Sequence, residues 1–386
     1  MKKTHIPSRR ARLRIVDAFI DEMISRQSFL MIGHHNPDED CVASMVAFSL
    51  LIVKFSKSPT IVFAKENHEK FPYLLSICKY NSIGVAEKPE DIGVGYDAVV
   101  SFDTPKPEML EFIEDLRPVM DDERTLVMEV DHHLEADGFY IGDEGYRLVD
   151  DASSTCELIG YLALRLSKKK ELLRRYLAGE IFTRNFVLAV VTGIVGDSKM
   201  GQFLKSRREK RYYRYFSRLF NKMLIEKTDK DSGNFSSIED ILNELEKLST
   251  AEEGCCRDFL AARKSRERLA WIALDEEATR PILRAYDMEV VVTVAKYVAN
   301  LLAEESGYVS LVAYYDSPEH SDFIQLRMRR SQSFKDVDLR TVIDHLGIEN
   351  GGGHEGAVGF RVHKNDVDDF DVFIDGILDE VAEMIR

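Results

Sequence analysis

Three apolar runs in this chain each stop on an acid or an imidazole. Phe29-Leu30-Met31-Ile32-Gly33 leads into His34-His35-Asn36-Pro37-Asp38-Glu39-Asp40, the run from Ala98 to Phe102 leads into Asp103, and the run from Thr125 to Val130 leads into Asp131-His132-His133. Short continuous apolar runs of this kind read as strands buried on both faces, which occur in parallel sheets covered by helices. In an open α/β sheet, ligands bind at the carboxyl ends of the strands, where the chain order reverses. Carboxylate oxygen and imidazole nitrogen suit divalent cations. Three such strand ends, with Gly196-Asp197-Ser198 as a fourth supply downstream, can build one metal cluster.

The rest of the N-terminal half fits this scheme. Residues 11–26 have the apolar spacing of an amphipathic helix (Leu13, Val16, Phe19, Ile20, Met23). Cys41 to Phe55 reads as a long apolar helix, and Thr60 to Ala64 and Arg147 to Val149 as further strands. Ser154-Thr155-Cys156-Glu157 has the form of a capping box opening a helix. Asn185 to Val195 reads as a helix with Asp197 just after it. Strands alternating with helices predict a mostly parallel α/β sheet.

Residues 205–250 change character: they are rich in Lys, Arg, Glu and Tyr, and read as helices around a Lys-Asp-Ser-Gly break near 230–233. A chain of 386 residues suggests two domains. The expected division is a metal-site domain over 1–250, a helical linker over 251–267, and a smaller α/β domain over 268–386. In the latter, Leu269–Leu274, Tyr308–Tyr315 and Asp322–Met328 are strand candidates, with a helix around Glu304. The domain closes with Gly351-Gly352-Gly353-His354 and a C-terminal helix.

Hydrophobic residues make up 45% and charged residues 31%, enough apolar mass for real cores in a soluble chain. No apolar run approaches the ~20 residues of a membrane span. The basic N-terminus is followed by no apolar signal stretch, so a cytoplasmic location is expected. Five cysteines at no metal or disulfide spacing fit reduced thiols. A net charge of −15 argues against gripping long duplex nucleic acid through a broad basic face. It leaves room for a small phosphate ester in a local pocket where bound cations supply the positive field.

Within the motifs, Pro37 stiffens a turn from which His34, Asp38 and Asp40 can point inward. Alone, Asp40 would equally fit a helix cap and Asp103 a turn. Paired histidines after a buried strand are costly as core residues. One can ligate a metal while Asp131 or a backbone carbonyl fixes its tautomer, and the other can face phosphate. Glycines flanking Asp197, in Thr192-Gly193-Ile194-Val195-Gly196, suggest close backbone approach to a site. Triple glycine at 351–353 can expose consecutive N–H groups to an anion. Arg327 and Arg329 alternate on a strand and so share a face, suited to a carboxylate partner or to bidentate phosphate recognition.

With these residues in this order, the sequence resembles the DHH phosphoesterase superfamily, in the branch whose DHH-associated C-terminal domain ends in a Gly-Gly-Gly-His motif. That branch includes nanoRNase/pAp phosphatases, cyclic-dinucleotide phosphodiesterases and exopolyphosphatase-like proteins. The likeness runs from Gly33 to about Phe360. It implies that His34, Asp38 and Asp103 hold one metal, usually manganese, and that Asp40, Asp103, His132 and Asp197 hold a second, with Asp103 bridging. It further implies that His133 contacts the scissile phosphate, with Asp131 counted beside it as catalytic, and that Arg327, Gly352, Gly353 and His354 bind the substrate's nucleotide or terminal phosphate. Magnesium or cobalt could replace manganese.

The chain departs from the pattern after two motifs. Ser198-Lys199-Met200 stands where many members have Thr and Gly, and Glu355-Gly356-Ala357-Val358 where many have Ala-Ala-Gly. No ligand is lost, so the departures bear on substrate choice. The expected activity is a two-metal phosphoesterase acting on short oligoribonucleotides, pAp or linear and cyclic dinucleotides, compatible with a homodimer and needing no membrane. The rivals are an inorganic polyphosphate or pyrophosphate hydrolase, and a non-catalytic nucleotide sensor on the same fold.

Overall fold

The computed structural model describes all residues except 1, 4–5, 135–137, 202–203, 228–234, 236, 246, 319–320, 332, 349–350 and 386. The break read near 230–233 lies outside the described residues. The chain forms two compact units, Met1–Lys247 and Leu248–Arg386. Among the described residues no helix is long and apolar enough to cross a membrane.

The first unit is a parallel sheet of six strands, β1 (Ser28–Ile32), β2 (Ser58–Val62), β3 (Gly84–Ala86), β4 (Ala98–Phe102), β5 (Leu126–Asp131) and β6 (Arg147–Val149). Their spatial order is β3-β2-β1-β4-β5-β6, so the chain order reverses between β1 and β4. Ile32 pairs with Ser101, and Phe102 with Val130. The residues that follow β1, β4 and β5 therefore leave the sheet side by side, at the switch point where an open α/β sheet binds its ligand. All five residues of β4 are buried, as a central parallel strand requires.

The helices of this unit are α1 (Arg9–Ser25), α2 (Glu39–Val53), α3 (Pro72–Tyr80), α4 (Ile113–Met120), α5 (Thr155–Leu166), α6 (Lys170–Arg175), α7 (Arg184–Ser198), α8 (Arg207–Lys227) and α9 (Ile238–Leu245). In α2 every residue from Asp40 to Ile52 is buried, and in α7 every residue from Phe186 to Gly196. A helix apolar all round must be enclosed. α2 is enclosed by the sheet on one side and α7 on the other. Phe48 of α2 meets Phe19 edge-on at 6.3 Å and Phe102 at 5.4 Å.

Two local expectations are corrected. Asp197 lies inside α7, which runs on to Ser198 and ends at Lys199 in the left-handed region. Ser154 does cap α5 by accepting from the Glu157 N–H, but the box is not reciprocal. The Glu157 carboxylate turns to the amide and hydroxyl of Ser153 and to Arg208, because a buried acid gains more from a cation than from a cap amide.

The second unit carries β7 (Arg263–Arg266), β8 (Leu269–Ala273), β9 (Val309–Tyr315), β10 (Phe323–Arg330), β11 (Gly351–His354) and β12 (Ala357–His363). The order is β11-β12-β10-β9-β8-β7, with β8 and β9 parallel and the other pairs antiparallel. One face packs on α10 (Thr250–Ala261) and α12 (Met288–Ser306), through Phe259, Val294, Val298 and Val312. The other packs on α14 (Phe370–Met384), through Leu326, Met328, Ile374 and Ile377.

The segment 251–267, read as a helical linker, is helical only to Ala261 and then enters β7. Cys255 and Phe259 are fully buried in the second unit's core, so the helix is a structural part of that unit. The glycines 351–353, read as an anion-binding concavity, form edge strand β11 instead. They pair with β12, and glycine is needed at 351, where a Cβ would come within 2.8 Å of that of Phe360, and at 353, where it would strike the Ala357 carbonyl.

Candidate active site

The switch point gathers the residues singled out in the first unit. Asp38 is the N-cap of α2, accepting the amides of Asp40 and Cys41 at 3.1 Å each. Its carboxylate lies 4.0 Å from Nε2 of His34, whose Nδ1 is occupied by the His35 carbonyl at 2.8 Å. Asp40, two residues on, is fully buried and caps a different helix. Its carboxylate accepts the amides of Thr155 and Cys156, the latter at 2.9 Å. The positive end of α5 thus faces a buried carboxylate, the arrangement a helix dipole favours.

Asp103 follows β4 with φ +52°, a left-handed conformation that turns its carboxylate back over the strand ends. It accepts from the Thr155 hydroxyl at 2.8 Å and lies 3.3 Å from Nε2 of His132. His132 Nε2 is also 3.3 Å from Asp197, while its Nδ1 meets the Ala152 carbonyl at 3.2 Å. That carbonyl makes Nδ1 the donor and leaves Nε2, which faces Asp103 and Asp197, as the nitrogen able to ligate. Asp131 does not orient His132: it holds His133, accepting from Nδ1 at 2.8 Å and from the backbone N–H at 3.2 Å.

Three donor groups therefore overlap. Within each, one ligand atom per residue falls within 4.8 Å of the others: His34, Cys41 and Asp103; Asp103, His132 and His133; and Asp40, His132 and Asp197. Asp103 stands in two of them.

Burial and crowding of like charges set the electrostatics of the acid cluster. Burial and then the charge of Asp103 push Asp40 well above the usual carboxylate range. Burial and then Asp40 push Asp197 up to about 9. Asp103 goes the other way: burial opposes its charge, but hydrogen bonding and charge from His132, with His133 and His34, hold it low. Burial would neutralise His132, yet Asp103, Asp40 and Asp197 outweigh it and raise its pKa well above normal. Carboxylates this crowded relax when a divalent ion replaces the shared protons, so the donor set fits such an ion.

Several contributors escaped the sequence reading. The Ala152 carbonyl on the turn after β6, and the Thr155 hydroxyl and the Thr155 and Cys156 amides at the start of α5, were legible only as a helix start, not as parts of the site. Cys41 adds a buried thiol beside His34 and Asp103. The signal for Gly193 was present: a Cβ there would overlap Oδ1 of Asp40 and approach Cys156 Sγ to 2.5 Å.

In the second unit, Arg327 and Arg329 share the α12 face of β10, as their alternation predicts. Arg329 donates to the carbonyls of Met328 and Val358 at 2.8 and 3.2 Å, so backbone takes its guanidinium. Arg327 has a buried Nε without a hydrogen-bond partner among the described residues. Burial, and then Arg327 and Arg329, lower the pKa of nearby Lys296. Gly359, opposite Arg327, leaves the space its guanidinium fills, and Gly352 continues the side-chain-free row. Gly353 has φ +146°. His354 closes β11, and its side chain lies outside what the structure describes.

Residues 28–194 match the DHH family, N-terminal domain. No curated protein matches the chain. Among solved structures, an exopolyphosphatase-related protein from Bacteroides fragilis aligns at 16% identity and TM-score 0.55, over 96% of this chain and 98% of that one. That similarity shows the fold. A pGpG-specific phosphodiesterase, PggH, from Vibrio cholerae aligns at 14% identity and TM-score 0.32, over 92% and 99% of the two chains. RecJ from Thermus thermophilus in complex with Mn2+ aligns at 14% identity and TM-score 0.38, over 96% of this chain and 55% of that one.

Proposed function

We propose that this chain, a member of the DHH superfamily of phosphoesterases, uses two divalent cations, manganese first among them, to hydrolyse short nucleotide phosphoesters. The observation that carries the reading is the position of Asp103, buried at the reversal of the sheet and common to two overlapping donor groups. His34, Asp38 and Asp103 would hold one ion, and Asp40, Asp103, His132 and Asp197 the other. Such ions supply an acidified water and neutralise the phosphate oxygens.

The chain's own residues do the rest. α5 and the Thr155 hydroxyl fix the Asp40 and Asp103 carboxylates before any ion arrives. The Ala152 carbonyl fixes the tautomer of His132. Asp131 engages Nδ1 of His133 and leaves Nε2 to stabilise charge developing on the phosphate. Arg327, with the Gly352-Gly353-His354 strand, is assigned to a phosphate or sugar at the substrate's remote end. Its guanidinium, set in the space left by Gly359 and beside the Tyr314 hydroxyl, is the cation offered to that end. A net charge of −15 suits a small anionic ester held by local cations, not a long duplex.

The test is hydrolysis of linear dinucleotides, pAp, cyclic dinucleotides, pyrophosphate and polyphosphate by Mn2+-loaded protein. Turnover of at least one nucleotide class above the inorganic substrates is expected. Faster phosphate release from polyphosphate points to the inorganic rival, and nucleotide binding without turnover to the sensor.

A further inference from the structure

We propose that Lys3 is a positioning residue for the reaction, acting on His133 through Asp131. Lys3 is fully buried, and so are the groups around it, Thr104, Glu129 and Asp131. A lysine ammonium has three protons to donate. Here it donates to the Thr104 carbonyl at 2.6 Å and to Oδ2 of Asp131 at 2.6 Å, and forms an ion pair with Oε1 of Glu129 at 2.7 Å. The backbone seats it independently, since Lys3 N–H donates to the Gly138 carbonyl at 2.9 Å and Lys2 bridges Phe139.

The division of labour on Asp131 carries the inference. Lys3 takes Oδ2, and Oδ1 alone meets His133, at Nδ1 and at the backbone N–H. A carboxylate held at one oxygen by a buried cation cannot rotate its other oxygen away from the imidazole. Glu129 is the counterweight. Its Oε2 accepts the amides of Ile141 and Gly142 at 3.1 Å each, leaving Oε1 for the lysine. Removing a partner that orients a ligand or catalytic imidazole typically costs roughly 10–100-fold in activity.

The role rests on the reading that His133 meets the phosphate, so its test has an arm independent of turnover. In protein with 15N-labelled histidines and Mg2+, the ring nitrogens of His133, assigned by their loss in His133→Asn, report which nitrogen carries the proton. Wild type is expected to show a protonated, hydrogen-bonded Nδ1, and Lys3→Met a ring averaging between tautomers. Lys3→Met should also keep its metal content and KM while kcat on the best substrate of the panel falls roughly 10–100-fold. Should the buried charges left behind unfold that variant, Lys3→Met with Glu129→Gln removes the opposing pair and must still show the altered ring. An unchanged His133 spectrum in whichever variant folds overturns the role of Lys3. Wild-type protein that hydrolyses no phosphoester overturns the reading of the site, and the ring measurement still decides what Lys3 does.

Discussion

The buried carboxylate of Asp40 lies against Gly193 so closely that a Cβ on the glycine would overlap Oδ1. α2 and α7, which carry the two residues, are thereby locked at the distance the site needs. Gly193→Ala should strip metal from the group formed by Asp40, His132 and Asp197. Alanine gains roughly 1 kcal/mol of helix propensity over glycine, which offsets part of the packing strain, so the variant should stay folded. Circular dichroism with elemental analysis checks this: a folded variant with normal metal content contradicts it.

In the absence of metal, stability should fall as pH rises from about 4 to 9. Asp197 has its folded pKa raised to about 9, so the folded state holds a proton that the unfolded state releases above its ordinary carboxylate pKa. His132, also raised, adds stability that is present below its unfolded pKa and lost as pH passes its folded value. Both act in the same direction. Saturating Mn2+ or Mg2+ should remove the decline, because the ion takes the place of those protons. Thermal melts of chelator-treated and metal-loaded protein at several pH values decide it; parallel profiles contradict the account.

The charged helix α8 has a structural task. Arg208 donates to Asp150 at 2.6 Å and forms an ion pair with Glu157 at 2.9 Å, and Arg12 meets the same Asp150 at 2.6 Å. Both acids are buried, and they flank the turn that carries Ala152 and Thr155. Removing one partner of a buried ion pair typically costs about 3–5 kcal/mol. Because Arg208 is partly exposed, Arg208→Met is expected at the lower end, about 3 kcal/mol, by urea denaturation. A change below about 0.5 kcal/mol would mean that water already screens the network.

Arg327→Met and Gly359→Ala should act alike, because a side chain at 359 takes the space of the guanidinium. Each should raise KM for a nucleotide roughly tenfold or more. Each should spare metal content and hydrolysis of bis-p-nitrophenyl phosphate, which lacks a remote end. Equal loss on the small ester and the nucleotide would assign these residues to the chemistry instead.

The layout of the first unit was legible because buried parallel strands leave an unmistakable apolar trace, and the acids stand where each trace stops. What stayed hidden was partnership. Nothing in the sequence says that Asp40 caps α5 and not its own helix, that Glu157 turns to Arg208, or that Lys3 lies beside Asp131. These pairings join residues 50 to 130 positions apart, and only the register of the sheet brings them together. In the second unit, three glycines look like a loop to any rule based on side-chain pattern. Their place in β11 follows from pairing with β12, where a Cβ at 351 would crowd Phe360 and one at 353 would strike the Ala357 carbonyl.

The central claim is that Asp103 is shared by two cations, and counting bound ions tests it most directly. Mn2+ titration followed by elemental analysis should give two ions per chain for wild type and at most one weakly held ion for Asp103→Ala, with turnover abolished. Two tightly held ions in Asp103→Ala would contradict the account.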